Sequence, residues 1–168
     1  MANGSGLDRW SRPAVLGSLG GQRPLKVIMS PAKSTPISLL VLNEGIRQHV
    51  LSILQRNNFT PVIITHPGEL AAELKEHPTP VIFVDWEAET QFGPAIIMNI
   101  KAALKEGGII FLYDREHRNL IQEVMQLGVY GCVLAPYDEW EILTMVKHLL
   151  SKKTAKTERR RKKAPSNC

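Results

Sequence analysis

The sequence predicts an α/β domain built on a doubly wound, five-stranded parallel sheet with helices on both faces. Three observations carry this. Between residues 37 and 151, short apolar runs alternate five times with longer segments of helical period. The runs are apolar almost throughout rather than at every second residue, which burial on both faces explains, as in a parallel sheet between two helical layers. Right-handed crossovers then reduce the topologies to a doubly wound sheet.

The first run, ISLLVL (37–42), reads as a buried strand, and EGIRQHVLSILQRNNF after it puts Ile46, Val50, Ile53 and Leu54 on one helix face. PVIIT (61–65) reads as a second strand, ELAAELKEH as a short helix, and PVIFVD (80–85) as a third strand. The next helix is expected within GPAIIMNIKAALKEGG, with Ile96, Ile97, Ile100 and Leu104 on one face and Gly107-Gly108 as its stop. GIIFLY (108–113) gives a fourth strand, HRNLIQEVMQLG a helix closed by Gly128, and GCVLA (131–135) a fifth strand. The last helix has the clearest start: Asp138 as N-cap with Glu141 three residues on, ahead of Ile142, Leu143, Val146 and Leu149.

The organisation follows from charge and composition. The chain has 168 residues, is 43% hydrophobic and carries a formal charge of +5, enough for one α/β-sized core with tails. Residues 151–168 hold eight Lys/Arg against the single Glu158, a balance of +7, leaving −2 for the rest. The segment SKKTAKTERRRKKAPSNC has no Leu, Ile, Val or Phe to anchor it, so residues 152–168 are expected to be a disordered basic tail. Lys152, Lys153, Arg159, Arg160, Arg161, Lys162 and Lys163 would let it meet nucleic acid or another anionic surface by electrostatics. Residues 1–36 lack periodicity apart from LKVIM and read as a disordered or misassigned extension; Met29 opens MSPAKSTPISLLVL, and translation is expected to start there. Cys132 and Cys168 frame no disulfide scaffold, and no run reaches the ~20 apolar residues of a membrane span, so a cytoplasmic protein without a transmembrane segment is expected.

In a doubly wound sheet, function gathers outside the carboxyl ends of the strands. Asp85 stands at such an end, as does Asn43-Glu44. The structural alternatives are ordinary: Asp85 as a capping residue, Glu44 facing the positive end of its helix, Trp86 as a loop aromatic, and Cys132 as a small buried hydrophobe. His49 and His148 fall within helices, and the five histidines offer no catalytic pairing.

The residues carry a family likeness. The span 37–151 resembles the receiver domain of bacterial two-component response regulators, whose CheY-like, flavodoxin-like fold has strand order 2-1-3-4-5. Asn43-Glu44 stand where that family has two acidic residues, Asp85 matches the phosphoacceptor, Gly93 the glycine eight residues on, and Gly128, Pro136 and Tyr137 the segment that ends the fifth unit. The likeness implies phosphorelay signalling with a sensor histidine kinase or another signalling protein as partner, no enzymatic activity of its own, and Asp85 as phosphoacceptor.

The departures fall on the chemistry. The family's Lys is Ala135, its Ser/Thr is Tyr113, its aromatic of strand five is Cys132, and the Pro after the phosphoacceptor is Glu89. Phosphoryl transfer rests on positioning and on neutralising the spreading charge, so Ala135, which supplies no cation, weakens it; Arg115 is the candidate replacement. Glu44 and Asp85 would bind Mg²⁺ weakly, with Asn43 as a neutral third oxygen. The pattern is that of a degenerate, stand-alone pseudo-receiver that would meet partners near the last two helices and strand five; the residues after the last helix are too few for an output domain, so any output would come from a bound partner or from the basic tail. The alternative is a scaffold or adaptor whose basic tail is the working part. A small enzyme or ligand-binding protein is disfavoured, because no Gly-rich phosphate loop, nucleophile–base pair or metal cluster is visible at the strand ends.

Overall fold

A computed structural model describes residues 35–76, 78–104 and 106–163. The elements in order are β1 (Pro36–Leu40), α1 (Glu44–Arg56), β2 (Thr60–Ile63), α2 (Pro67–Glu76), β3 (Val81–Asp85), α3 (Trp86–Phe92), α4 (Ala95–Ala103), β4 (Gly108–Tyr113), α5 (Leu120–Leu127), β5 (Gly131–Leu134) and α6 (Glu139–Lys163). All strand pairs are parallel and the sheet order is β2-β1-β3-β4-β5. The registers put Leu39 beside both Ile63 and Phe83, and Asp85 beside Leu112.

The continuous apolar runs are explained by two cores. On one face Leu39, Val41, Phe83 and Leu112 pack under Val50 and Ile53 of α1 and Ile142 and Val146 of α6. On the other, Leu40, Val84 and Phe111 pack under Leu70 of α2, Ile97 and Ile100 of α4 and Val124 of α5. Phe83 and Phe111 are both fully buried and point to opposite faces, as the two-residue repeat of adjacent strands requires. Asp138 starts α6 as expected: its Oδ1 accepts from the N–H of Trp140 at 2.9 Å and of Glu141 at 3.3 Å. Gly128, at φ 97°, closes α5 by donating its N–H to the carbonyls of Val124 and Met125.

Three expectations are corrected. β1 ends at Leu40 rather than at residue 42, because the N–H groups of Leu42 and Asn43 turn to the Asp85 carboxylate. Residues 86–92 form a separate helix, α3, where no element was expected. It is seven residues long and has too little periodicity to be seen, yet Asp85 caps it and Glu87 sits in its first turn, where negative charge is favoured. Finally, the segment from 152 to 163 is helical, an unbroken continuation of α6, rather than disordered. Extending a helix that is already docked avoids the nucleation cost, Lys, Arg and Ala are good helix formers, and Glu106 offsets the crowding of like charge by pairing with Lys156 and Arg160. The expected extension before Thr35, with the Met29 start, and residues 164–168 of the tail lie outside the described residues.

Candidate functional site

The carboxyl ends of β1 and β3 meet at Asp85, with β4 paired alongside. This side chain is fully buried, and both of its oxygens are engaged. Oδ1 accepts the N–H of Leu42 at 3.1 Å and of Ala88 at 3.0 Å, and Oδ2 accepts the N–H of Asn43 at 2.8 Å. One carboxylate thus joins the end of β1 to the end of β3 and caps α3. Burial pushes its carboxyl above the usual range, with the Glu87 charge adding to the effect, while the three backbone N–H groups pull the other way.

The residues expected beside it are placed differently. Asn43 turns its Oδ1 to the N–H of Ile46 at 3.1 Å and caps α1. Glu44 is well exposed, at 63% of its side chain, and faces along its own helix, paired with Arg47 and accepting from Gln48 Nε2 at 2.8 Å. The two proposed carboxylate ligands therefore do not converge, and no cluster of three or more Asp, Glu, His or Cys side chains among the described residues is placed to hold a metal ion. The donor set does not fit Mg²⁺, which needs several oxygens in near-octahedral array; Asp85 has both oxygens filled by backbone donors.

The cation of the family pattern has no substitute among the described contacts of Asp85. Ala135 is half-buried against the first core, and its N–H donates to the Tyr113 carbonyl at 2.9 Å. Arg115 is exposed. Pro136, preceded by a cis peptide bond, is exposed, whereas Tyr137 is buried despite a φ of 59°. Its conformation is held from both sides: its N–H donates to the Leu134 carbonyl at 3.0 Å, and His49 donates from Nε2 to its carbonyl at 2.9 Å. Burial, aided by the charges of Asp114 and Asp85, pushes the Tyr137 hydroxyl up to about 12, so it stays a neutral phenol at ordinary pH. Tyr113 packs its ring against the second core.

Sequence reasoning missed a cluster over this end of the sheet. The His117 ring stacks on Trp86, with centroids 3.7 Å apart and planes 11° from parallel, and His117 Nδ1 donates to Asp114 Oδ1 at 2.6 Å. Partial burial works against ionising Asp114, but the side-chain and backbone hydrogen bonds from His117 outweigh it and hold the carboxyl below the usual range. The signal was available: Asp114 and His117 are three residues apart just beyond β4, and Trp86 is just beyond β3. Gly93, at φ 78°, ends α3, a conformation that favours glycine. Glu89, at the family's Pro position, is buried, and burial together with the Glu123 charge pushes its carboxyl up. Burial likewise raises the Cys132 thiol to about 11, making it a poor nucleophile at neutral pH.

No family model and no curated protein matches the chain. Among solved structures, NtrX from Brucella abortus in complex with ADP superposes with a TM-score of 0.65 at 16% identity, over 74% of this chain. The match spans only 28% of the NtrX chain. A response regulator from Thermotoga maritima gives a TM-score of 0.61 at 18% identity, over 70% of this chain and 98% of the other. The N-terminal signal receiver domain of a two-component response regulator from Bacteroides fragilis gives 0.60 at 19%, over 69% and 97%. The chain therefore has the fold of response-regulator receiver domains, the strand order included.

Proposed function

We propose that this chain is a degenerate receiver-like signalling module that acts by binding a protein partner and does not pass a phosphoryl group through Asp85. The observation that carries the reading is the state of that carboxylate: fully buried, with both oxygens accepting backbone N–H groups and no cation in contact among the described residues. An in-line phosphoryl transfer needs an exposed oxygen and positive charge around the transferred group. Asp85 instead ties β1, β3 and α3 together. The receiver-like fold supports a signalling role, with a histidine kinase or another signalling protein as the partner class and no catalysis by the chain itself. Exposed apolar residues support contact near the last two helices, where Met125 lies on α5 and Trp140 on α6, the latter 75% exposed. No described helix is long and apolar enough to cross a membrane, and the expected setting is the cytoplasm.

The test is intact-mass spectrometry after incubation with Mg²⁺ and acetyl phosphate. An unchanged mass is expected. A gain of one phosphoryl group that disappears in Asp85→Asn would overturn the reading and restore Asp85 as the phosphoacceptor.

A second reading makes the basic segment the working part of a scaffold that meets nucleic acid or an anionic surface. Its support is that α6 continues beyond its packed half as an exposed helix carrying Lys152, Lys153, Lys156, Arg159, Arg160, Arg161, Lys162 and Lys163. The two readings use different ends of α6 and are compatible.

A further inference from the structure

The helical state of residues 152–163 sorts their charges in a way that a disordered chain would not. At about 100° per residue, Lys152, Lys153, Lys156, Arg159, Arg160 and Lys163 fall within roughly a third of the circumference, while Thr154, Glu158, Arg161 and Lys162 lie outside it. The contacts agree with this placement. Lys156 and Arg160 both reach Glu106 Oε1, at 3.1 and 3.4 Å, and Lys152 Nζ lies 5.2 Å from the centre of the Tyr130 ring. Lys156, Arg159, Arg160 and Lys163 line a shallow open depression of about 390 Å³. The hydrogen bond from Lys156, with the charges around it, holds the Glu106 carboxyl below its usual range.

We propose that this stripe is a binding face for the phosphate backbone of duplex nucleic acid, and that Glu106 occupies part of it as an internal competitor. The inference rests on the second reading of the basic segment and narrows it from net charge to one helix face. The partner follows from the chemistry. A helix lying on a membrane needs an apolar face to bury, and residues 151–163 contain no Leu, Ile, Val, Phe, Met or Trp. A helix about 10–12 Å across fits a major groove about 12 Å wide, and six cations in a row about 16 Å long can face successive phosphates there. Glu106 presents a carboxylate to two of these cations and is displaced when a phosphate takes its place.

The experiment is fluorescence anisotropy of the full chain with a labelled, mixed-sequence DNA duplex over a series of salt concentrations. Two double variants remove equal charge and keep a good helix former: Lys156→Gln with Arg160→Gln on the stripe, and Arg161→Gln with Lys162→Gln off it. With six cations engaged, log affinity should fall against log salt with a slope of about −5, and the on-stripe pair should reduce its magnitude by about 2. The off-stripe pair should leave the slope near the parent value, and Glu106→Gln should tighten binding. Equal losses from both pairs would overturn the stripe while leaving binding by net charge intact. No binding by the parent chain would remove both. An unchanged affinity in Glu106→Gln would overturn the competition, and tighter capture by anionic phosphatidylglycerol vesicles or polyglutamate than by the duplex would overturn the choice of nucleic acid.

Discussion

Asp85→Asn and Asp85→Ala should separate a structural carboxylate from a dispensable one. In the folded chain three N–H groups, from Leu42, Asn43 and Ala88, converge on it. Alanine leaves all three without an acceptor and empties a buried position, and at about 1–3 kcal/mol for each orphaned donor the loss should reach about 3 kcal/mol or more. Asparagine is gentler. Its oxygen can keep the Leu42 and Ala88 bonds, but its amide nitrogen then faces the Asn43 N–H, donor against donor, which costs about 1–3 kcal/mol. Urea denaturation followed by circular dichroism measures both. Asp85→Ala within about 0.5 kcal/mol of the parent, the range of an indifferent surface change, would mean that the carboxylate is dispensable to the fold, and equal losses from the two variants would mean that the three N–H groups do not depend on it. The pH profile adds a second check. Burial raises the folded-state pKa above the ordinary 3.8, so this group's titration adds stability that is fully present below 3.8 and lost as pH rises through the higher folded value. Asp85→Asn should remove that part of the profile. Asparagine, which keeps two of the three bonds, is therefore a better control than alanine in phosphorylation experiments, since a poorly folded control would report nothing about chemistry.

Glu89→Gln should raise stability at neutral pH by about 1 kcal/mol, because it removes a buried charge. The parent's stability should fall as pH rises from 4.5 through the raised folded value of Glu89, and the variant should lose that slope. A melting series across pH measures it. Gly107→Ala puts a methyl group 2.6 Å from the Pro80 carbonyl oxygen and should cost about 1–3 kcal/mol, read by urea denaturation. Asp138→Ala removes the acceptor for Trp140 and Glu141 and should cost about 1 kcal/mol in the same assay.

The strands were legible because β1, β3 and β4 are buried almost along their whole length and therefore written as apolar runs, while the partly buried edge strands β2 and β5 still read as short apolar runs, and α6 because Asp138 and Glu141 announce it. The short α3 was not, since its start depends on a side chain that also serves Leu42 and Asn43, more than 40 residues earlier in the chain. The position of Asp85 in the site was readable from its place at the end of a strand, but its saturation by backbone donors was not, because hydrogen-bond partners distant in sequence leave no local pattern. Glu44 misled for the opposite reason: a local partner, Arg47 at i+3, draws it away from the strand ends. The Asp114–His117–Trp86 cluster spans two loops joined only by the parallel pairing of β3 and β4. The basic segment was misjudged because its composition was weighed apart from the helix before it, whose last turn spares it the cost of nucleation.

That unbroken α6 also makes the domain a mechanical device. Its first turn bonds the end of α1 through Glu139, and its 25 residues give a rod about 37 Å long, only the first half of which is clamped to the sheet. A rod of that length amplifies. A tilt of about 10° where the clamp ends, near Leu150, sweeps the far end through roughly 3 Å, about the length of a hydrogen bond. A partner that displaces Glu106 would therefore shift the cations beyond Leu150 in unison, with no jointed segment among them to absorb the motion.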